Sequence, residues 1–379
     1  MSFLMAFYML WDVLWPLILG FALSGVVQAV VSHAKMAETL GDDSPKSVTL
    51  ATLFGIASSS CSYAAIALAR SIFRKGASFS NAMVFELSST NLVIELGVIL
   101  WVFMGWQFVA AEFTGGIIMV ILLALIFRFT LSRKLVKEAR RQAEKNVMGK
   151  MEGHAGMDMS LTEGTIWSRL LSKKGFTAIS HFFIMDVASI WTDILIGFGI
   201  AGILAVFVPE SFWQAFFFTN HPTLAYIEGP LVGPLVAMLS FVCSVGNIPL
   251  AAVLWKGGIS FGGVVSFIFA DLIVLPILNI YRKYYGWKMM AYILVTFYAT
   301  MAAAGYIIEF LFAVLHIIPT NRNVVMISSG ISWNYTSILN IAFLLIAGIL
   351  TIRFLRTGGP AMLKMMEMDP KDMKDCCKV

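Results

Sequence analysis

Two cysteines lie inside long apolar stretches of this chain, each beside small polar residues. Ser58, Ser59, Ser60 and Ser62 flank Cys61, and Tyr63 follows. Farther on, Cys243-Ser244-Val245-Gly246-Asn247-Ile248-Pro249 sets a hydroxyl, an amide and two helix-weakening residues beside the second cysteine. Hydroxyls in hydrocarbon either bond back to helix carbonyls, bond across to a neighbouring helix, or line a polar path. Gly246 and Pro249 weaken a helix in their stretch, and helices interrupted at corresponding points of two halves point to a binding site near the bilayer midplane.

Three further groups could carry chemistry. Ser88-Ser89-Thr90-Asn91 is followed by Glu95, and Asn91 and Glu95 stand at i, i+4, on one face of a continuous helix. Asp271 opens a matching stretch that runs through Pro276 to Asn279. A carboxylate within a membrane segment is expensive, faces the bundle interior or a cavity, and is a candidate proton carrier. Glu95 and Asp271 are therefore the expected proton-coupling residues, with Glu86 and Glu309 as lesser candidates. Third, His154, Met157 and Met159, with Met148, Met151 and Asp158, form a Met/His run that would suit soft ions such as Cu(I) or Ag(I). A Met-rich loop with no metal is the simpler reading, since the chain has 22 methionines. Cys376-Cys377 on the polar tail is open to the same two readings.

These residues need elements to hold them. The chain has 379 residues, 59% hydrophobic and only 13% charged, with mean hydropathy +0.83. That exceeds an ordinary globular composition, and the excess lies in runs long enough to span a bilayer. The runs fall near 7–31, 48–73, 79–104, 106–130, 182–208, 229–255, 259–281, 289–318 and 336–356, with an aromatic stretch at 212–227 broken by Asn220-His221-Pro222. Only helices or closed barrels satisfy their backbone in lipid, and no period-2 alternation is present. The expected fold is all-α: a polytopic membrane bundle of about 8–10 helices with broken or re-entrant segments. The first run is too long for a cleavable signal and reads as the first membrane helix.

An internal duplication is also expected. A shift of 182 residues, 243 − 61, pairs Cys61-Ser62 with Cys243-Ser244, Gly76 with Gly258, Ser78-Phe79 with Ser260-Phe261, and Ser89 with Asp271. Gly105-Trp106 matches Gly286-Trp287 at a shift of 181. The expected organisation is a first membrane repeat over 1–131, a cytoplasmic hydrophilic loop over 132–175, a second membrane repeat over 176–318, an additional C-terminal transmembrane helix over 319–357 and a polar tail over 358–379. The basic block from Arg128 to Lys145 should face the cytoplasm. Counting crossings gives parallel repeats, whereas the charges of Arg282, Lys283 and Lys288 favour inverted ones, and the sequence leaves both open.

No phosphate-binding loop, dinucleotide fingerprint, haem motif or His-Glu-x-x-His helix is present. No cofactor, no nucleic-acid partner and no enzymatic activity are expected. A nucleophilic Cys61 would need a base such as His181 or His221 brought to it by the fold. The expected partners are the lipid bilayer and a small solute, and self-association is left open.

Several of these stretches carry a family resemblance: Ser58 to Ala65, Phe73-Arg-Lys-Gly76, Ser88 to Gly97, Cys243 to Pro249, Phe269 to Ile273 and Tyr281 to Gly286. Together they resemble the bacterial predicted-permease family that includes the ArsP-type organoarsenical efflux permeases. The chain has Ser-Ser-Ser-Cys where the arsenical branch has Thr-Pro-x-Cys, which is similar to a serine-rich subgroup. The resemblance implies a multi-pass permease of the inner (plasma) membrane with two related halves, exporting a soft metalloid such as a trivalent organoarsenical. Joined to the residue pattern, it makes Cys61 and Cys243 the soft ligands of one centre. Ser59, Ser60, Ser62, Ser244, Asn247, Thr90 and Asn91 would line the path, and Glu95 or Asp271 would take the thiol protons. A passive conduit for a small polar solute, or a permease for an unrelated molecule, are the alternatives.

Overall fold

The computed structural model describes residues 2–30, 39–58, 62–143, 166–207, 222–240, 244–322 and 335–367. Cys61, Cys243, Ser59, Ser60, His154, Met157 and Met159 lie outside the described residues. Among the described residues the chain is all-helical, with no strand. The first part comprises α1 (Ser2–Val30), α2 (Pro45–Ser58), α3 (Ser62–Arg74), α4 (Phe79–Asn91), α5 (Ile94–Met104), α6 (Trp106–Thr130) and α7 (Arg133–Ala143). After the short α8 (Ile166–Leu170) come α9 (Lys173–Phe207), α10 (Pro222–Ser240), α11 (Ser244–Gly257) and α12 (Phe261–Phe269). A 3-10 turn (Ala270–Ile273) leads into α13 (Leu275–Tyr285), α14 (Trp287–Val314), α15 (Tyr335–Arg356) and α16 (Gly359–Glu367).

Four helices among the described residues are long and apolar enough to cross a membrane: Phe79–Met104, Trp106–Thr130, Trp287–Val314 and Thr336–Arg356. The pair α12/α13, bent by 41°, makes five if it counts as one span. The expected eight to ten crossings include the runs 48–73 and 229–255. There the described residues form half-length helices, α2 with α3 and α10 with α11, on either side of three residues outside the described set.

The helix breaks follow local chemistry. Gly76 and Gly258 have φ of 125° and 112°, a region that favours residues without a Cβ, and so turn the chain before α4 and α12. Ser78 and Ser260 then cap those helices, their side chains accepting from the backbone N–H of Asn81 and Gly263. The span from Phe79 is interrupted at Leu92-Val93, where Val93 is extended (φ −109°, ψ 144°). The second break comes at the 3-10 turn, after which Val274 is extended (φ −63°, ψ 149°) and Pro276 fits the first turn of α13. Gly105 and Gly286, with φ of 95° and 88°, redirect the chain into α6 and α14.

The two parts of the chain share one apolar core. At one end, Phe73, Phe79 and Tyr285 meet edge to face, with ring centroids 5.3–6.0 Å apart. At another, Phe108 stands against Trp255 at 5.3 Å and Phe261 at 4.9 Å. Close helix approach depends on glycine: a Cβ on Gly55 would lie 2.6 Å from the Phe85 carbonyl oxygen. Asn340 of α15 clamps α1, accepting from the backbone N–H of Trp15 at 2.9 Å and donating to the Trp11 carbonyl at 2.7 Å.

The segment 132–175 is not simply a loop. Its first part is α7, where Ala139 and Ala143 are buried and Leu135 and Val136 are half-buried, so one helix face packs on the bundle. The α7 carbonyl of Ala143 accepts two bonds from Arg70, at 2.8 and 3.2 Å. Arg140 donates to Ala77 at 3.0 Å, and Gln142 donates to the carbonyl of Lys283 at 3.1 Å. Glu138 pairs with Lys288 at 3.4 Å. A predominantly polar helix thus ties α3 to α13 and α14.

Candidate polar site in the bundle core

Polar side chains converge where α4 and the 3-10 turn end. Asp271 is fully buried and accepts a hydrogen bond from Ser62 Oγ at 2.6 Å. Ser62 is the first residue of α3, so this bond joins the two cysteine-containing parts of the sequence. Glu86, also fully buried, accepts from the Tyr281 hydroxyl, a second bond between the two parts. Asn91 lies beside Asp271, and both Glu86 and Glu112 are within electrostatic reach of it. Glu112, on α6, is 1% exposed.

Much of the hydroxyl-rich run is occupied locally. Ser89 donates to the Glu86 carbonyl at 2.8 Å, Thr90 to Leu87 at 3.2 Å, and Asn91 Nδ2 to Leu87 at 3.2 Å. Such bonds satisfy donors and compete with the regular ladder at the end of α4. Among the described residues, what stays unsatisfied is mostly acceptor: Glu86 Oε2, both Glu112 oxygens, Asp271 Oδ1 and Asn91 Oδ1. The hydroxyls of Ser88 and Tyr285 are also buried with no partner among the described residues. A buried polar atom left without any partner costs on the order of 1–3 kcal/mol, so these atoms call for partners beyond the described residues. The cluster is suited to exchanging protons and to holding a polar solute that supplies the missing donors.

The expected site residues separate into groups. Ser62, Thr90, Asn91 and Asp271 come together in this core. Ser244 and Asn247 are buried in α11, which runs as a continuous helix from Ser244 through Gly246 and Pro249. The expected weakening of that stretch therefore does not extend beyond the start of α11. Glu95 does not share a helix face with Asn91, because the break at Leu92-Val93 puts them on different helices. Half-buried in the first turn of α5, it runs its stem across Gly20 of α1. His181 bonds Thr357 at 2.7 Å and its ring meets Phe354, so it serves the α9–α15 contact. Among the described residues, no group of three or more His, Cys, Asp or Glu could hold a metal ion.

Glu112 and the Tyr281 hydroxyl were not expected. Glu112 had a legible signal, a lone carboxylate inside the apolar run 106–130. The role of Tyr281 depends on a contact 195 residues away in sequence and had none.

Comparison with known proteins agrees with a membrane permease. No solved structure matches the chain. A protein of Mycobacterium tuberculosis (strain ATCC 25618 / H37Rv) described as "Putative permease Rv2963" is 58% identical over 342 residues, covering 90% of this chain and 84% of that one. The "UPF0718 protein YraQ" of Escherichia coli (strain K12) is 28% identical over 121 residues, 32% of this chain and 34% of that one. The family described as "Predicted permease" (ArsP_1) matches residues 1–310. With a buried polar core inside an apolar multi-pass bundle and that match over most of its length, the chain belongs to the predicted-permease family.

Proposed function

We propose that this permease exports a small soft solute, such as a trivalent organoarsenical, by proton-coupled secondary transport. The observation that carries the reading is the junction of Ser62 and Asp271. The residue after Cys61 bonds a buried carboxylate from the other half of the chain. A thiol that binds a metalloid must release its proton, and in this reading Asp271, with Glu86 and Glu112 nearby, receives it. Cys243 precedes Ser244, the buried first residue of α11, and supplies the second soft ligand.

The halves act as an inverted duplication around this core, the arrangement that lets rocking of one half against the other alternate access. Several pairs at the 182 shift support it. Arg140 stacks over Phe73 at 4.3 Å and donates to Ala77, while Arg322 stacks over Trp255 at 4.5 Å and donates to Ile259 at 3.1 Å. All three positions correspond: 140 + 182 = 322, 73 + 182 = 255 and 77 + 182 = 259. α7 contacts Ala77 and Lys283, so Gly76 and Gly286 stand at one end of the bundle. Phe108 meets Trp255 and Phe261, so Gly105 and Gly258 stand at the other. Each glycine's counterpart is thus at the opposite end. The end with α7 collects Arg74, Lys75, Arg133, Lys137, Lys283 and Lys288, and is the cytoplasmic one by the positive-inside rule.

Uptake into everted membrane vesicles tests the function. Accumulation of trivalent methylarsenical that collapses with an uncoupler, with Cys61→Ser and with Asp271→Asn is the expected result. Uptake indifferent to the uncoupler would make the protein a passive conduit. Uptake retained by a Cys61→Ser/Cys243→Ser double variant would remove the thiols from the mechanism.

A further inference from the structure

We propose that the protein holds an anionic phospholipid in a basic cavity at the N-terminus of α4, distinct from the polar core toward the other end of that helix. The cavity has a volume of about 940 Å³ and lies between α2, α4, α6 and α7. Arg128, Arg133, Lys137 and Arg140 line it, against a single carboxylate, Asp43. Arg140 is fixed, bonded to Ala77 and stacked on Phe73. Arg128, Arg133 and Lys137 are exposed, and none has a carboxylate partner among the described residues.

The floor of the cavity is also built for an anion. Ser80, 4% exposed, lines it, and its hydroxyl has no hydrogen-bond partner among the described residues. Ser80 sits in the first turn of the 13-residue helix α4, whose leading N–H groups carry partial positive charge. The N-terminus of α12 provides an internal comparison. There the carboxylate of Glu309 accepts from the N–H of Gly262, the residue 182 positions after Ser80. At the α4 end the residue 182 positions before Glu309 is Phe127, an apolar wall of the cavity. One helix start is thus served by an anion from within the chain. Among the described residues, the other has an unpartnered hydroxyl, three cations without a carboxylate partner, and open space.

The rest of the lining selects an amphiphile over a free anion. Ile121 and Leu125 are exposed on the flank of α6, a membrane span, and continue the cavity wall along the direction an acyl chain would take. Charged head at the basic rim and chains along α6 is the disposition of a phospholipid in the leaflet that meets α7. Basic pockets between membrane helices take up anionic headgroups on this principle.

Purified full-length protein, exchanged into detergent micelles with phosphatidylglycerol or with phosphatidylcholine of matched acyl chains, tests the assignment by native mass spectrometry. Wild type should retain phosphatidylglycerol selectively, and millimolar inorganic phosphate should leave it bound. An Arg128→Gln/Arg133→Gln/Lys137→Gln variant should bind it about a hundredfold more weakly, about fivefold for each charge lost. The charge-conserving Arg128→Lys/Arg133→Lys/Lys137→Arg variant, and an Arg282→Gln/Lys283→Gln variant altered elsewhere, should keep it. Equal retention of the two lipids by wild type would overturn the proposal, and this arm does not depend on any variant folding. So would unchanged binding by the neutralised variant, loss of selectivity in the variant altered elsewhere, or complete displacement by phosphate.

Discussion

Removing the Tyr281 hydroxyl isolates the contribution of the inter-half polar contact. Glu86 is fully buried, its Oε2 has no partner among the described residues, and the Tyr281 hydroxyl donates to Oε1 across the two parts of the chain. Tyr281→Phe keeps the ring, which packs against Tyr285 and Phe297, and removes only the donor. A buried acceptor left wholly unpaired costs about 1–3 kcal/mol, so a loss of about 2 kcal/mol is expected. Glu86→Leu removes the need for a donor, and Tyr281→Phe in that background should cost little. The coupling from the double-mutant cycle should therefore be about 1.5–2 kcal/mol, within the range for residues in contact. Equilibrium unfolding of the purified protein in mixed micelles gives the four stabilities. Coupling below about 0.5 kcal/mol, the level typical of independent sites, would refute the claim that this contact joins the halves.

Other variants probe the remaining features. Glu112→Leu should abolish coupled uptake yet leave the protein as stable or more stable, because an unpaired buried carboxylate costs more than an apolar side chain; unfolding and vesicle uptake on one preparation check both. Arg322→Lys should lose about 1–2 kcal/mol, since an ammonium cannot both stack on Trp255 and reach two carbonyls as the planar guanidinium does; a melt indistinguishable from wild type would count against it. Gly55→Ala should cost about 1–3 kcal/mol by forcing α2 from α4, whereas Gly199→Ala, where a Cβ meets nothing within 4 Å, should be near neutral. The contrast is read as the difference between the two unfolding midpoints.

Much of the bundle was legible because lipid imposes strict rules. Run length and the absence of alternation led to an all-helical membrane protein, and the glycine and serine pairs at the 182 shift became turns and caps. Asp271 and Ser62 could be singled out because polar residues in hydrocarbon are conspicuous. The errors have physical causes. Asn91 and Glu95 suggest one helix face only if the helix continues, yet Ser89, Thr90 and Asn91 bond to the carbonyls behind them and the chain turns at Leu92-Val93. α7 looked like a solvated charged loop because its apolar stripe is made of small residues, with Ala139 and Ala143 supplying the buried positions. The Tyr281–Glu86 contact is a product of tertiary assembly alone.

The position of α7 bears on how such a bundle could move. Rocking of one half against the other needs contacts that persist and contacts that exchange. α7 contacts both halves at one end, through Arg70 and Ala77 on one side and Lys283 and Lys288 on the other. Its bonds to the first half involve a buried arginine, Arg70, which makes two bonds to one carbonyl and also stacks over Tyr284 of α13 in the second half. Its bonds to the second are a single amide contact and one exposed ion pair, the kind worth about 0–1 kcal/mol. Those bonds are weak, but α7 also packs along α13, and Arg70 holds α3, α7 and α13 at once, so this corner stays together as one unit. Ser62–Asp271 and Tyr281–Glu86 join the two halves in the core itself, and any such movement must break or re-form them. In the proposed proton-coupled cycle, proton transfer to Asp271 or Glu86 would change the strength of those same bonds and so give the ion a direct hold on the conformational equilibrium.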